Sequence, residues 1–87
     1  MQGSQVTFDD TYNIACVYAQ SSAVAEEAPV SNRYATHAVK LLKQAAENGY
    51  RNVMHMKQDT DLDPIRNRPD FQGLVMDMTF PADPFTR

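Results

Sequence analysis

The side chains best placed for chemistry are the three carboxylates of Asp59-x-Asp61-x-Asp63, which repeat at the spacing that opens a calcium-binding loop. Asn67 and Asp70 fall at later ligand offsets of the same twelve-residue pattern. Such a loop needs a glycine at its sixth position for a sharp turn, and a bidentate glutamate at its last. Here the sixth position is Pro64, with φ fixed at about -65°, and the last is the shorter Asp70. The aspartates are therefore expected to serve the backbone, with Asp59 and Asp63 as helix caps and Asp61 solvated. His37 and His55 are the two histidines, isolated from each other and from the cysteine, whereas a zinc site draws on three or four ligands. Cys16, the single cysteine, can form no internal disulfide, and within a helical apolar pattern it reads as a small buried hydrophobe. No catalytic, metal-binding or cofactor-binding residue is expected, and no cofactor.

Other residues have the chemistry of contact rather than catalysis. Arg66 and Arg68 flank the aspartate-rich bend, where they can clamp a partner's carboxylates or pair locally with Asp61, Asp63 or Asp70; local pairing is the expectation. Met54, Met56, Met76 and Met78 can fill a core or form an adaptable surface. Tyr12, Tyr18 and Tyr34 are expected where helices cross or where a next repeat would stack, in contact with a partner if they have a functional role. The tail of Phe80 and Phe85, set among Pro81 and Pro84, is expected to be extended, either docked by its two phenylalanines or disordered.

Eighty-seven residues make one small domain. The net charge of -3 is unevenly spread: residues 1–31 carry only acids, residues 32–58 balance at +4, and residues 59–87 at -3. The basic middle is too sparse for a nucleic-acid footprint. No run approaches the ~20 apolar residues of a membrane span, and no basic-then-apolar leader is present, so a cytoplasmic chain is expected.

The elements that would position these residues are helical. Asp9 or Asp10 is an N-cap candidate, and Ile14, Ala15, Tyr18, Ala19 and Ser22 recur on one helical face. Pro29 is expected to end that helix by about residue 28, with Pro29-Val30-Ser31-Asn32 as connector. A second helix runs from about Arg33 to Asn48, its stripe formed by Tyr34, Ala38, Leu41, Leu42 and Ala45, and Gly49 takes the left-handed position after it. A short helix spans Val53 to Gln58. Asp63 before Pro64 reads as a cap followed by a first-turn proline. Pro69 opens a last helix along Phe71, Leu74, Val75 and Met78. Residues 1–7 are expected to lie outside the fold as a disordered lead, 8–78 to form the helical domain, and 79–87 an extended Pro/Phe tail.

Ile14-Ala15-x-x-Tyr18 followed by Ala38-x-x-x-Leu42 and Ala45 resembles the tetratricopeptide pattern, in which large, small and aromatic residues on one helix meet small and large residues on the next. The usual tryptophan position falls at Thr11 and the usual closing proline at Tyr50. The interval from Tyr18 to Ala38 exceeds a standard repeat by about eleven residues, or roughly three helical turns, which an antiparallel hairpin would share between longer helices. The stretch from Leu41 through Gly49-Tyr50 to Asp59-x-Asp61-Leu62-Asp63-Pro64-Ile65-Arg66-x-Arg68-Pro69-Asp70-Phe71-x-x-Leu74 resembles the C-terminal end of bacterial tetratricopeptide proteins. Those appended to Ser/Thr protein kinases of planctomycete type are especially similar, as is the closing Asp77-Met78-Thr79-Phe80-Pro81-Ala82-Asp83-Pro84-Phe85. None of the kinase signatures occurs here.

The resemblance implies an all-α fold, a tetratricopeptide-like antiparallel hairpin with lengthened helices and short C-terminal capping helices. It implies a non-enzymatic protein-interaction module, the terminal repeat of a larger array, or alternatively the regulatory tail of a Ser/Thr kinase. A protein or peptide partner is expected through Tyr12, Tyr18, Tyr34, Arg66, Arg68, Phe80 and Phe85. In isolation a homodimer through the first two helices is expected, because a lone repeat leaves a hydrophobic face uncovered.

Overall fold

A computed structural model describes residues 7–79, and Phe80 and Phe85 lie outside the described residues, as do positions 1–6 of the expected lead. The described chain is all-α, with no strand. Its helices are α1 (Phe8–Val24), α2 (Ala28–Glu47), α3 (Val53–Gln58), the 3-10 helix η1 (Thr60–Ile65) and α4 (Pro69–Thr79).

α1 begins two or three residues earlier than Asp9 or Asp10 would place it. Thr7 is the N-cap: its hydroxyl accepts from the Asp10 amide at 3.1 Å, and the Asp10 carboxylate accepts from the Thr7 amide at 3.4 Å. Two amides that lack intrahelical partners are thereby satisfied reciprocally. Thr7 thus belongs to the helical domain rather than to the lead.

The connector also differs from expectation. Pro29 does not separate the helices; it sits in the first turn of α2, where a missing N–H costs nothing and its fixed φ suits the helix. The break is Ala25–Glu27, so both helices are longer than a standard repeat's, at 17 and 20 residues. Ser31 ties the two together across the break, its hydroxyl donating to the Ser22 carbonyl at 2.7 Å. The Ser22 hydroxyl in turn donates to the Ala19 carbonyl at 2.6 Å, which accounts for a buried serine.

α2 ends as its glycine predicts. Gly49 has φ 124°, open to a residue without a Cβ, and the Tyr50 amide reaches the Ala45 carbonyl while the Gly49 amide reaches that of Ala46. This pair of bonds satisfies carbonyls the helix leaves open and turns Tyr50 inward, where it is buried. Asn52 then caps α3, accepting from the His55 amide at 3.1 Å.

Pro64 differs from expectation too: it lies inside η1 rather than starting a helix, and the cap of that turn is Asp59, which accepts from the Asp61 amide at 3.0 Å. Asp63 caps nothing; it accepts from Arg66 at 3.0 Å. α4 opens at Pro69 as expected, but extends to Thr79, so the helix takes in the first residue assigned to the tail.

The core lies between α1 and α2, the most extensive helix pair, and η1 closes its base against α1. Ala15, Ala19, Ala38 and Ala45 are fully buried, so the two backbones approach closely, and Leu42, Met56, Leu62 and Ile65 fill the space beyond them. Phe71 is buried too, and Leu74, Val75 and Met78 of α4 pack on the cluster's edge. Both apolar stripes are rotated from those read in the sequence. α1 turns Tyr12, Ala15, Cys16, Ala19 and Ser22 inward and leaves Ile14 out; α2 turns in Ala35, Ala38, Val39, Leu42, Ala45 and Ala46, with Leu41 half-buried and Tyr34 toward water.

Candidate functional site

Two places gather the residues singled out by the sequence, and their chemistry is opposite. The first is a half-buried polar node centred on Asp59. The Tyr12 hydroxyl donates to Asp59 Oδ2 at 2.7 Å, the Cys16 thiol lies 3.8 Å from the same oxygen, and His55 Nε2 approaches it at 3.3 Å. Beside it, Asp61 accepts from Gln20 at 3.0 Å. Asp61 is therefore half-buried and bonded, not solvated as expected.

Electrostatics identify what this node can do. Burial pushes the Cys16 thiol up to about 12, and the nearby Asp59 carboxylate adds to the effect, so the sulfur stays protonated and is a poor nucleophile. Burial raises Tyr12 as well, reinforced by its bond to Asp59. Burial alone would raise Asp59, but the donated bonds from Tyr12 and the Asp61 amide outweigh it and hold the carboxyl below its ordinary value. Cys16, Asp59 and Asp61 bring ligand-type atoms within 4.8 Å of one another. The Asp59 oxygens are already engaged by Tyr12 and the Asp61 amide. The node is a staple joining α1 to the segment between α3 and η1.

The arginines have local partners. Arg66 bonds Asp63 and also donates to the carbonyls of Lys57 and Asp59, closing the end of α3. Arg68 grips Asp70 with Nε and Nη2, and reaches Asn32 Oδ1 at 2.9 Å and Thr36 Oγ1 at 3.0 Å on α2. Its bond to Asp70 lowers that carboxyl below the ordinary range. The local pairing expected for Asp63 and Asp70 is present, and the reach of Arg68 to α2 is an addition that no sequence spacing signalled.

The second place is the outer surface of the hairpin. Ile14, Val17 and Val24 are exposed by 45%, 59% and 79%. With half-buried Ser21 they follow the i, i+3, i+7, i+10 spacing of a single helical face. That face lies opposite the buried one, so α1 is apolar on two sides. From Thr11 to Ala25 the chain carries no charged residue at all. Tyr18 flanks the face and meets α2, with its ring 6.0 Å from Tyr34 and edge-on to His37 at 4.5 Å. Of the three tyrosines expected at contacts, Tyr18 and Tyr34 are on this surface, while Tyr12 is 5% exposed and belongs to the core and the polar node. Its ring stacks on Tyr50 at 4.6 Å.

Sequence reasoning missed Val17 and Val24 as surface residues because it sought one apolar stripe per helix. The uncharged run was the available signal: a solvated helix face ordinarily carries charge. The methionines divide, with Met56 fully buried, Met78 half-buried, and Met54 and Met76 exposed by about 60% each. No helix among the described residues is long and apolar enough to cross a membrane. Compared with protein families, curated proteins and solved structures, the chain matches none of them.

Proposed function

We propose that this chain is a non-enzymatic protein-interaction module, a tetratricopeptide-like hairpin whose outer face takes another protein surface. The observation that carries the reading is the second apolar face of α1, formed by Ile14, Val17 and Val24 on a stretch without charge. A first helix in a repeat array has two neighbours, its own second helix and the preceding repeat, and so needs apolar residues on two sides. Buried Ala15, Ala38 and Ala45 fit the same reading, because they permit the close helix approach on which stacking depends. The engagement of Cys16, Asp59 and both arginines with partners in their own chain supports the outer face as the surface best suited to recognition.

Supplying the missing neighbour tests this. Consensus tetratricopeptide repeats joined ahead of α1 should stack on it, giving one cooperative unfolding transition above that of the chain alone, with slowed amide exchange in α1. Val17→Lys should abolish the gain. Two independent transitions, or a gain indifferent to Val17→Lys, would overturn the reading.

A further inference from the structure

Self-association also follows from an uncovered face, and the charges on the hairpin specify its geometry. We propose that the outer face is covered by a second copy of this chain, the two hairpins forming a four-helix bundle in which each α1 lies antiparallel against the other copy's α2. The proposal rests on the reading of that face as an interaction surface.

Two hairpins meeting face to face about a two-fold axis have two simple arrangements. If the axis lies across the helices, α1 packs on α1 and α2 on α2. If it runs along them, α1 packs on the other copy's α2, and this occurs twice. The helices carry opposite charge: α1 has Asp9 and Asp10 with no cation, for -2, whereas α2 has Arg33, Lys40 and Lys43 against Glu47, for +2. The crosswise arrangement therefore sets like against like. It also brings Asp9 and Asp10 toward Glu26 and Glu27 at the far end of the other α1. The lengthwise arrangement sets opposite charges side by side. Tyr18 is level with Tyr34 through their ring contact, so Asp10 falls within a turn of the height of Lys40, which with Arg33 lines the groove beside both rings. Fields of this kind act over about 10 Å at moderate salt, and they select the arrangement while the apolar residues supply adhesion.

The dimensions fit a weak dimer. A helix of 17 residues is about 26 Å long, and two side by side offer a face of about 500 Å² in projection. Specific interfaces begin near 600 Å² per partner, so the association belongs at the transient end.

Sedimentation equilibrium of the whole chain, from low to high micromolar, should show a monomer–dimer equilibrium that weakens with salt and is lost in Val17→Lys. Disulfide trapping then reads the arrangement, since Val17 and His37 lie near the middles of α1 and α2. Mixing Val17→Cys and His37→Cys chains under mild oxidation should give the mixed disulfide, with no Val17→Cys homodimer; buried Cys16 serves as the unreactive control. A Val17→Cys homodimer would overturn the arrangement, and so would a dimer that survives Val17→Lys. A strictly monomeric chain would overturn the second copy as occupant, while the fused-repeat experiment could still succeed.

Discussion

α1 and α2 run side by side and share one core, yet they meet water in different ways. α2 is amphipathic, with six buried apolar residues on one face and Arg33, Lys40, Lys43 and Glu47 exposed outside it. α1 buries Tyr12, Ala15, Cys16 and Ala19 and then repeats an apolar pattern on its outer side. α2 thus keeps most of its apolar side chains on the side turned to α1, η1 and α4, whereas α1 carries apolar side chains on two opposite sides. The difference teaches that one helix can carry two separate sets of apolar side chains, one packed in the core and one facing water, and under the proposed function the second set is the recognition face.

The largest test of that separation is Leu42→Ala, at a fully buried position on the single core face of α2. It should cost about 3 kcal/mol and lower the melting temperature by roughly 15 °C, read by thermal circular dichroism. A loss under about 1 kcal/mol would mean that α2 does not carry the core as described.

Next is Asp59→Ala, which removes a cap and the acceptor of the buried Tyr12 hydroxyl. A loss of about 2 kcal/mol is expected in urea titrations. The acid dependence has a definite sign. The carboxyls of Asp59 and Asp70 are held below their unfolded values, so their stabilisation is complete above about pH 4 and disappears as pH falls through the lower folded values. Wild type should lose stability below that point, and Asp59→Ala should lose it less steeply.

Ser31→Ala, which frees the Ser22 carbonyl at the break between the helices, should cost about 1 kcal/mol. The smallest effect belongs to the outer face: Val17→Lys should change the monomer's stability by less than about 0.5 kcal/mol while abolishing association. A loss above about 1 kcal/mol in the monomer would show that Val17 is not outside the core and would erase the contrast.

Local signals in the sequence located much of the fold. The limits of α3, the start of α4 at Pro69 and the left-handed Gly49 follow from residues that act within a turn of themselves. Pro29 and Pro64 both differ from expectation, Pro29 in the first turn of α2 and Pro64 inside η1, since a proline can start a helix, end one or sit within a 3-10 turn and the surroundings decide. The Asp59 node was not legible. Its partners are 43 and 47 residues away in Cys16 and Tyr12, and no periodicity connects them. The outer face was half legible: Tyr18 and Tyr34 stood out as aromatics, whereas Val17 and Val24 were hidden by the assumption that apolar residues on a short helix all turn inward.

The span of the Asp59 node also orders events during folding. α1 and α2 can zip outward from Ala25–Glu27, each contact closing only a slightly larger loop than the one before. The bonds from Tyr12 to Asp59 and from Gln20 to Asp61 must join points 47 and 41 residues apart, so they close after the hairpin exists. Interactions made late contribute to the barrier against unfolding more than to the speed of folding. Asp59→Ala should therefore leave the folding arm of a chevron nearly unmoved and raise the unfolding arm, which makes this aspartate a brake on opening.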